Sequence, residues 1–225
     1  RRLIEKYEMP VLGYTPEHNA YPYNYMIGSE AQRRDAIDYL KLSLEMAKEM
    51  GAEFVLTSPA NGGYLATYDQ LWSRLEKNIQ ELGDYAAKLE IKLVVEALTP
   101  YESNFFTRAN DLVELFRRVD NPYVVGMCDI VPPFVQHESI MAYFDKLGNK
   151  MDHMHIIDGE NGSDTHLIPG EGNIPIKEML YEMKRIGYDK TATLELVTNY
   201  INEPRFYAKR AIDNMRELMA EAGIV

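Results

Sequence analysis

Cysteine is almost absent from this 225-residue chain, in which Cys128 is the only one. A single thiol cannot form an internal disulfide, which excludes a disulfide-stapled scaffold. No apolar run approaches the roughly 20 residues that cross a bilayer, and no signal-peptide pattern opens the chain. These absences predict a soluble, cytoplasmic protein with no membrane partner.

Basic residues are also in short supply. Lys and Arg number 24 against 35 Asp and Glu, which gives a net charge of −11. A polyanion would meet net repulsion, so the charge predicts no nucleic-acid partner. The 46% of hydrophobic and 26% of charged residues are an ordinary globular balance, and we expect one domain over residues 1–225. The chain begins with Arg1 inside what reads as a helix, so we expect residues to be missing upstream.

What the sequence does contain is a repeated unit, in which a short run rich in Val, Ile or Leu precedes a longer stretch with helical spacing. The predicted strands are Met9–Tyr14, Glu53–Thr57, Ile91–Ala97, Val124–Ile130, Met151–Ile157 and Thr191–Val197. The predicted helices are Glu30–Met50, Leu71–Leu89, Asn110–Val119, Glu138–Leu147, Ile176–Ile186 and Pro204–Ala222. In the first of these helices the apolar stripe that can lie on a sheet consists of Ile37, Leu40, Leu44 and Ala47.

Strict alternation of strand and helix calls for a parallel sheet, either open and doubly wound or closed into a barrel. An open nucleotide-binding sheet needs a glycine-rich turn after its first strand, whereas Gly13–Glu17 offers no phosphate cradle. We therefore predict an α/β fold of the (β/α)₈ TIM-barrel type. Since that barrel has eight units and six are visible, the first two are expected to be absent from this chain.

The residues with the clearest chemical pattern stand at the ends of four predicted strands: Glu96, Asp129, His155 and Glu195. A carboxylate is costly to bury alone and must be neutralised, paired or bound to a metal. In a barrel the carboxyl ends of the strands meet at one mouth, so the four side chains are expected to converge. Three carboxylates and one imidazole favour Mn²⁺, with Co²⁺, Mg²⁺ or Zn²⁺ as alternatives. His153 is expected to be a packed histidine rather than a ligand.

Two loops at the same mouth are candidates for substrate contact. After the fifth strand, Asp164 and His166 either orient a substrate, add a metal ligand, or belong to a solvated glycine-rich turn. After the first strand, a polar and aromatic loop contains Tyr14 and His18. Its rings and polar groups suit a sugar, although such loops are also ordinary rigid connectors.

Several segments together resemble the xylose-isomerase-like sugar epimerases. They are Val95–Asn104, the strand end at Asp129, His153–Asp158, Pro169–Gly172 and Glu195–Val197. The resemblance implies an eight-unit barrel and a divalent metal held by the four strand-end residues named above. It also implies that Glu96 and Glu195 exchange the substrate proton, and that Glu102, six positions after Glu96, contacts substrate oxygens.

Two positions depart from the pattern of these relatives. Pro132 stands where they have a histidine, and Asn161 stands where they have an arginine. His166 is a candidate replacement for one of those contacts. A DNA-repair endonuclease with three zinc ions belongs to the same superfamily, but Pro132 removes one of its zinc ligands and the net charge disfavours DNA.

The sequence therefore predicts an isomerase that epimerises C3 of a ketosugar or ketosamine. Epimerisation needs a base on one face of a planar enediolate and an acid on the other, and two carboxylates supply both. The alternatives are an aldose–ketose isomerase and a catalytically silent sugar-binding protein. Self-association into a homo-oligomer is also expected.

Overall fold

A computed structural model describes residues 1–19, 22–160 and 162–224 of the chain. It divides into two compact units, Arg1–Gly126 and Met127–Val225. The strands are β1 Gly13–Tyr14, β2 Phe54–Thr57, β3 Lys92–Val95, β4 Val124–Asp129, β5 Met151–His155 and β6 Thr191–Thr193. The helices are α1 Arg2–Tyr7, α2 Glu30–Met50, α3 Tyr68–Leu89, α4 Ala109–Arg118, α5 Val131–Val135, α6 Met141–Leu147, α7 Ile176–Ile186 and α8 Pro204–Glu221. In the part of the chain described, no helix is both long and apolar enough to span a membrane.

The first unit is a parallel β/α arrangement with strand order β1-β2-β3-β4. The register pairs Gly13 with Phe54, Phe54 with Lys92, and Leu93 with Val124. The apolar stripe predicted on α2 is buried, as are all four residues of β2. Helix packing on the sheet therefore builds the core of this unit, as the helical period requires.

Side-chain caps fix where the long helices of this unit begin. Ser29 and Gln32 form a reciprocal capping box at the start of α2, and Gly51 ends the helix with a φ of 80°. Thr67 and Gln70 form the same box at the start of α3. The second box explains why α3 begins at Tyr68 rather than at the predicted Leu71.

The second unit contains the end of β4, then β5 and β6, and the helices α5 to α8. Ile130 N donates to His155 O at 3.3 Å, and β5 pairs with β6 in parallel from His153 opposite Thr191 to His155 opposite Thr193. Beyond β6, the buried residues Ile168, Tyr200 and Ala211 form a core cluster under α8. The order of strands and helices confirms the predicted β/α repeat, with six of the eight units of a full barrel in the described residues.

Several predicted boundaries were wrong, and the largest differences are at the sixth and first strands. The sixth strand ends at Thr193 rather than Val197, because its pairing partner β5 ends at His155. Leu194 and Leu196 are apolar because they pack against the Tyr200 cluster rather than because they continue a strand. The first strand is only Gly13–Tyr14.

The short helix α5 was not predicted, since Pro132 and Pro133 lie inside it. Proline is tolerated in a first helical turn, where the backbone N–H groups have no partner within the helix. The carboxylate of Asp129 accepts a hydrogen bond from Val131 N at 2.8 Å just at this turn. A helix therefore begins directly after β4.

Candidate active site

Three of the predicted metal ligands come together at the carboxyl end of the sheet in the second unit. Asp129 ends β4, His155 ends β5, and Glu195 lies two residues beyond β6. His155 Nδ1 is 3.2 Å from Glu195 Oε2 and 3.8 Å from Asp129 Oδ2. Asp129 and His155 are buried, whereas the Glu195 side chain is 34% exposed.

These three residues form a donor set that fits a divalent cation. Each offers one ligand atom, and the atoms lie within 4.8 Å of one another. Two carboxylate oxygens and one imidazole nitrogen, without a thiolate, suit the harder divalent ions. The cluster is therefore able to hold a metal ion.

The charges at the cluster act strongly on one another. Burial raises the pKa of the Asp129 carboxyl, against the opposing effect of His155. Burial also raises the pKa of Glu195, but His155 and His166 beside it outweigh burial and bring that pKa below its usual value. Burial alone would lower the pKa of His166, and the neighbouring Asp164 and Glu195 instead raise it to about 11. Glu195 is thus held as a carboxylate.

The loop after β5 brings His166 into this cluster. His166 Nδ1 is 3.2 Å from Glu195 Oε2, and its Nε2 is 3.6 Å from Asp164 Oδ1. The side chain of His166 is only 12% exposed, and that of Asp164 is 25% exposed. His166 and Asp164 therefore lie beside the ligand cluster rather than in a turn surrounded by water.

A buried carboxylate organises that loop. Asp158 is 2% exposed and accepts hydrogen bonds from the backbone N–H groups of Gly159, Gly170 and Ile174, each at 2.9 Å. Its backbone pairs with Leu167 in an antiparallel bridge. Sequence reasoning did not assign this role to Asp158, although the glycines that follow it permit the close approach of backbone to its side chain.

His153 packs behind the cluster, as predicted. Its Nδ1 lies 2.8 Å from Thr191 Oγ1 and its Nε2 lies 3.0 Å from Thr193 Oγ1. Burial, helped by His155, lowers the pKa of His153 to about 4, so the ring is neutral. The two threonine partners were missed at the sequence level, although their spacing of two places both hydroxyls on one face of β6.

In the first unit, two predicted glutamates lie on the loop that follows β3. Glu96 is buried directly after the strand, and its backbone N–H donates to Thr57 O at 2.9 Å. Glu102 is exposed and accepts hydrogen bonds from the backbone and the hydroxyl of Thr99, at 3.2 and 2.9 Å. Both side chains follow the carboxyl end of a parallel strand, where the sequence predicted them.

The remaining predicted contacts lie near the first strand. Tyr14 is the half-buried last residue of β1. His18 is buried, with Nδ1 2.6 Å from Pro16 O, while Ser58 N donates to its Nε2 at 2.9 Å. Burial lowers the pKa of His18, which favours the neutral imidazole. Both of its ring nitrogens are therefore used in contacts within the protein. Of the two positions that depart from the family pattern, Pro132 is buried in α5 and Asn161 lies outside the described residues.

Comparison with known proteins decides the family. Residues 1–218 match the family described as xylose isomerase-like TIM barrel. The chain belongs to that family. It is also 47% identical to fructoselysine 3-epimerase of Shigella flexneri over 221 residues, which are 98% of this chain and 80% of that protein.

Solved structures agree on the fold. The 3-keto-D-glucoside 4-epimerase YcjR from E. coli, in its apo form, matches with a TM-score of 0.80 at 14% identity, over 97% of this chain and 82% of that chain. The IOLI protein, solved with a zinc atom, matches with a TM-score of 0.78 at 19% identity, over 98% of this chain and 80% of that chain. Together with the family match, they confirm the predicted TIM-barrel class. Two relatives, each 47% identical to this chain, are named fructoselysine 3-epimerase, and the protein is an enzyme of the isomerase class.

Proposed function

We propose that the protein is a metal-dependent ketose 3-epimerase, and that its substrate is a ketosamine such as fructoselysine or its C3 epimer. One observation carries the proposal: Asp129, His155 and Glu195 offer convergent metal ligands in a chain 47% identical to a fructoselysine 3-epimerase. The ligand set supports metal dependence, and the relative supports the reaction and the substrate class.

We propose Glu96 as the fourth ligand, beside Asp129, His155 and Glu195. Glu96 is buried directly after β3, and the other three residues likewise lie at the carboxyl end of their strands or within two residues of it. Three carboxylates and one imidazole favour Mn²⁺ over softer ions. When bound, the metal supplies a Lewis acid that stabilises negative charge on the C2 and C3 oxygens of the sugar.

Glu96 and Glu195 are the proposed acid and base. One carboxylate removes the C3 proton from one face of the sugar, and the other returns a proton to the opposite face of the planar enediolate. Because Glu195 is held in its charged form by two neighbouring imidazoles, it is ready to accept a proton without prior deprotonation. The direction of the reaction exchanges the roles of the two glutamates.

The other predicted contacts complete the proposal. Glu102 and Tyr14 would touch sugar oxygens, and Asp164 and His166 stand beside Glu195. Direct contact between His18 and the substrate stays a prediction. Both ring nitrogens of His18 already have partners within the protein, which disfavours such a contact. A cytoplasmic location and self-association likewise stay predictions.

The deciding experiment is NMR of fructoselysine incubated in D₂O with the protein and Mn²⁺, with the metal chelated before acquisition. We expect deuterium at C3 and the appearance of the C3 epimer. Exchange at C1 would instead indicate an aldose–ketose isomerase, and the absence of any exchange would contradict the proposal for this substrate.

Variants of the two glutamates then test their roles. Glu96→Gln and Glu195→Gln should each lower the epimerisation rate by about 10²–10⁴-fold, the usual contribution of a general acid or base. Glu49→Gln, which changes an exposed residue on α2, is the matched control and should leave the rate unchanged. A glutamine variant that still epimerises at the normal rate would remove that glutamate from the mechanism.

A further inference from the structure

Two imidazoles converge on a single oxygen of Glu195. His155 Nδ1 and His166 Nδ1 each lie 3.2 Å from Glu195 Oε2. Behind His166, Asp164 Oδ1 lies 3.6 Å from the second ring nitrogen. A line of three side chains, Asp164, His166 and Glu195, therefore runs from the loop after β5 into the metal cluster.

Glu195 needs such support more than the other ligands of its unit. Asp129 sits in paired β-structure, is 4% exposed and is held by the N–H of Val131. Glu195 comes after the paired part of β6 has ended at Thr193, and its side chain is 34% exposed. A long side chain in that situation loses more rotamer freedom when it is fixed, unless neighbours fix it in advance.

His166 is well placed to provide that support, because its own position is determined by the loop. It directly precedes Leu167, whose backbone pairs with that of Asp158. The buried Asp158 carboxylate binds backbone N–H groups on both sides of His166, at Gly159 and Gly170. Tyr200 OH accepts from Ile168 N at 3.0 Å, which ties the same segment to the core under α8.

We propose that His166 is a positioning residue: oriented by Asp164, it holds the Glu195 carboxylate ready for metal binding and for proton exchange at C3. The proton-exchange part rests on the proposed function. This role differs from the substrate contact that the sequence predicted for His166. Loss of a positioning residue changes the affinity for the metal and the face on which the enediolate is protonated. Loss of a contact residue changes chiefly the affinity for the sugar.

The chemistry predicts an asymmetric defect when the support is removed. Starting from the epimer whose C3 proton faces Glu96, the C–H bond breaks and the proton passes to the Glu96 carboxylate, where it exchanges with D₂O. In the intact site Glu195 delivers a proton to the opposite face and gives the product. With Glu195 misplaced, Glu96 returns a deuteron to the original face, so the starting epimer is recovered deuterated at C3.

The test compares His166→Leu with His166→Asn in the full chain. Leucine removes the ring nitrogen that lies 3.2 Å from Glu195 Oε2, whereas the asparagine amide nitrogen can occupy nearly the place of Nδ1. For His166→Leu we expect Mn²⁺ affinity, measured by calorimetry on metal-free protein, to fall about 10–100-fold, as is usual when a partner of a metal ligand is lost. We also expect the ratio of deuterated starting epimer to product to rise about tenfold or more in one direction only. His166→Asn should recover most of both losses.

Asp164→Asn should give a smaller defect of the same kind, and Asp189→Asn, which changes a carboxylate that is 83% exposed, is its control and should behave as the parent. Unchanged Mn²⁺ affinity and unchanged partition in His166→Leu would overturn the inference. An increase in KM alone, equal in the leucine and asparagine variants, would overturn it in favour of substrate contact. If the parent protein shows no C3 exchange, the proposed function fails, while the Mn²⁺ affinities still decide whether His166 positions Glu195.

Discussion

At the scale of single residues, His153 and His155 leave β5 on the same face, and their partners separate their roles. His153 meets two threonine hydroxyls of β6, which occupy both of its ring nitrogens. His155 meets the carboxylates of Asp129 and Glu195, which make it part of a possible metal site. The two rings contact each other edge to face, 5.5 Å apart and perpendicular. A neutral structural histidine therefore packs behind the histidine that we propose as a metal ligand.

His153→Leu should lower the free energy of unfolding by about 1 kcal/mol, because it removes the hydrogen-bond partner of the half-buried Thr191 hydroxyl. The loss should lie at the lower end of the usual range, since Thr193 is exposed and its hydroxyl can bind water. The measurement is urea denaturation at pH 7. In a background of Thr191→Val, the same substitution should cost less, because positions 153 and 191 are then both apolar and neither leaves the other unsatisfied. Additive losses would contradict the assigned hydrogen bond.

At the scale of elements, an ionic contact joins α2 to α3 in the first unit. Glu81 of α3 accepts from Arg34 at 2.9 Å and from Lys41 at 2.6 Å, both on α2. The hydrogen bond from Arg34 is the main cause that lowers the pKa of Glu81 to about 2, and Lys41 adds to it. The two helices are neighbours along much of their length, so the ionic contact adds to an interface that already exists.

The stability contributed by Glu81 should depend on pH. Below about pH 4.5 the unfolded chain takes up a proton at Glu81, whereas the folded chain does not until about pH 2. The stabilisation is therefore complete above pH 4.5 and is lost as the pH falls toward 2. The difference in unfolding free energy between the parent and Glu81→Gln should shrink between pH 6 and pH 3 in urea titrations. Glu49→Gln on α2 should give a difference that does not follow this window, and a Glu81 difference independent of pH would exclude the ion pair as its source.

At the scale of the whole molecule, a net charge of −11 and a convergent ligand set favour cation binding. A metal that binds only the folded chain stabilises it by mass action. At a free concentration one hundred times Kd, Mn²⁺ should add about 2.7 kcal/mol, which raises Tm by about 5 to 10 °C for a chain of this size. Differential scanning calorimetry with and without EDTA measures the shift. Asp129→Asn should abolish most of it and Asp189→Asn should not, whereas an equal shift in both variants would place the binding elsewhere.

Much of the fold could be predicted because local rules decide it. The apolar stripe of α2 and the caps at Ser29 and Gly51 give that helix its observed bounds, since periodicity and capping are properties of neighbouring residues. Strand-end positions of Asp129 and His155 followed from the same reasoning. Helix α5 was not predicted, because prolines usually indicate the end of a helix, although the first turn of a helix accepts them.

The β/α repeat and the residue types of the proposed ligand set follow from the sequence alone, because both depend on local patterns of apolar and ionisable residues. The folded chain is needed to show where β6 ends, how Asp158 holds its loop, and that His166 lies beside Glu195. Each of these depends on groups distant along the chain, whose approach is fixed by strand pairing and by the satisfaction of buried polar atoms. Local sequence patterns do not specify which of the many residue pairs distant along the chain come into contact, so these contacts could not be predicted.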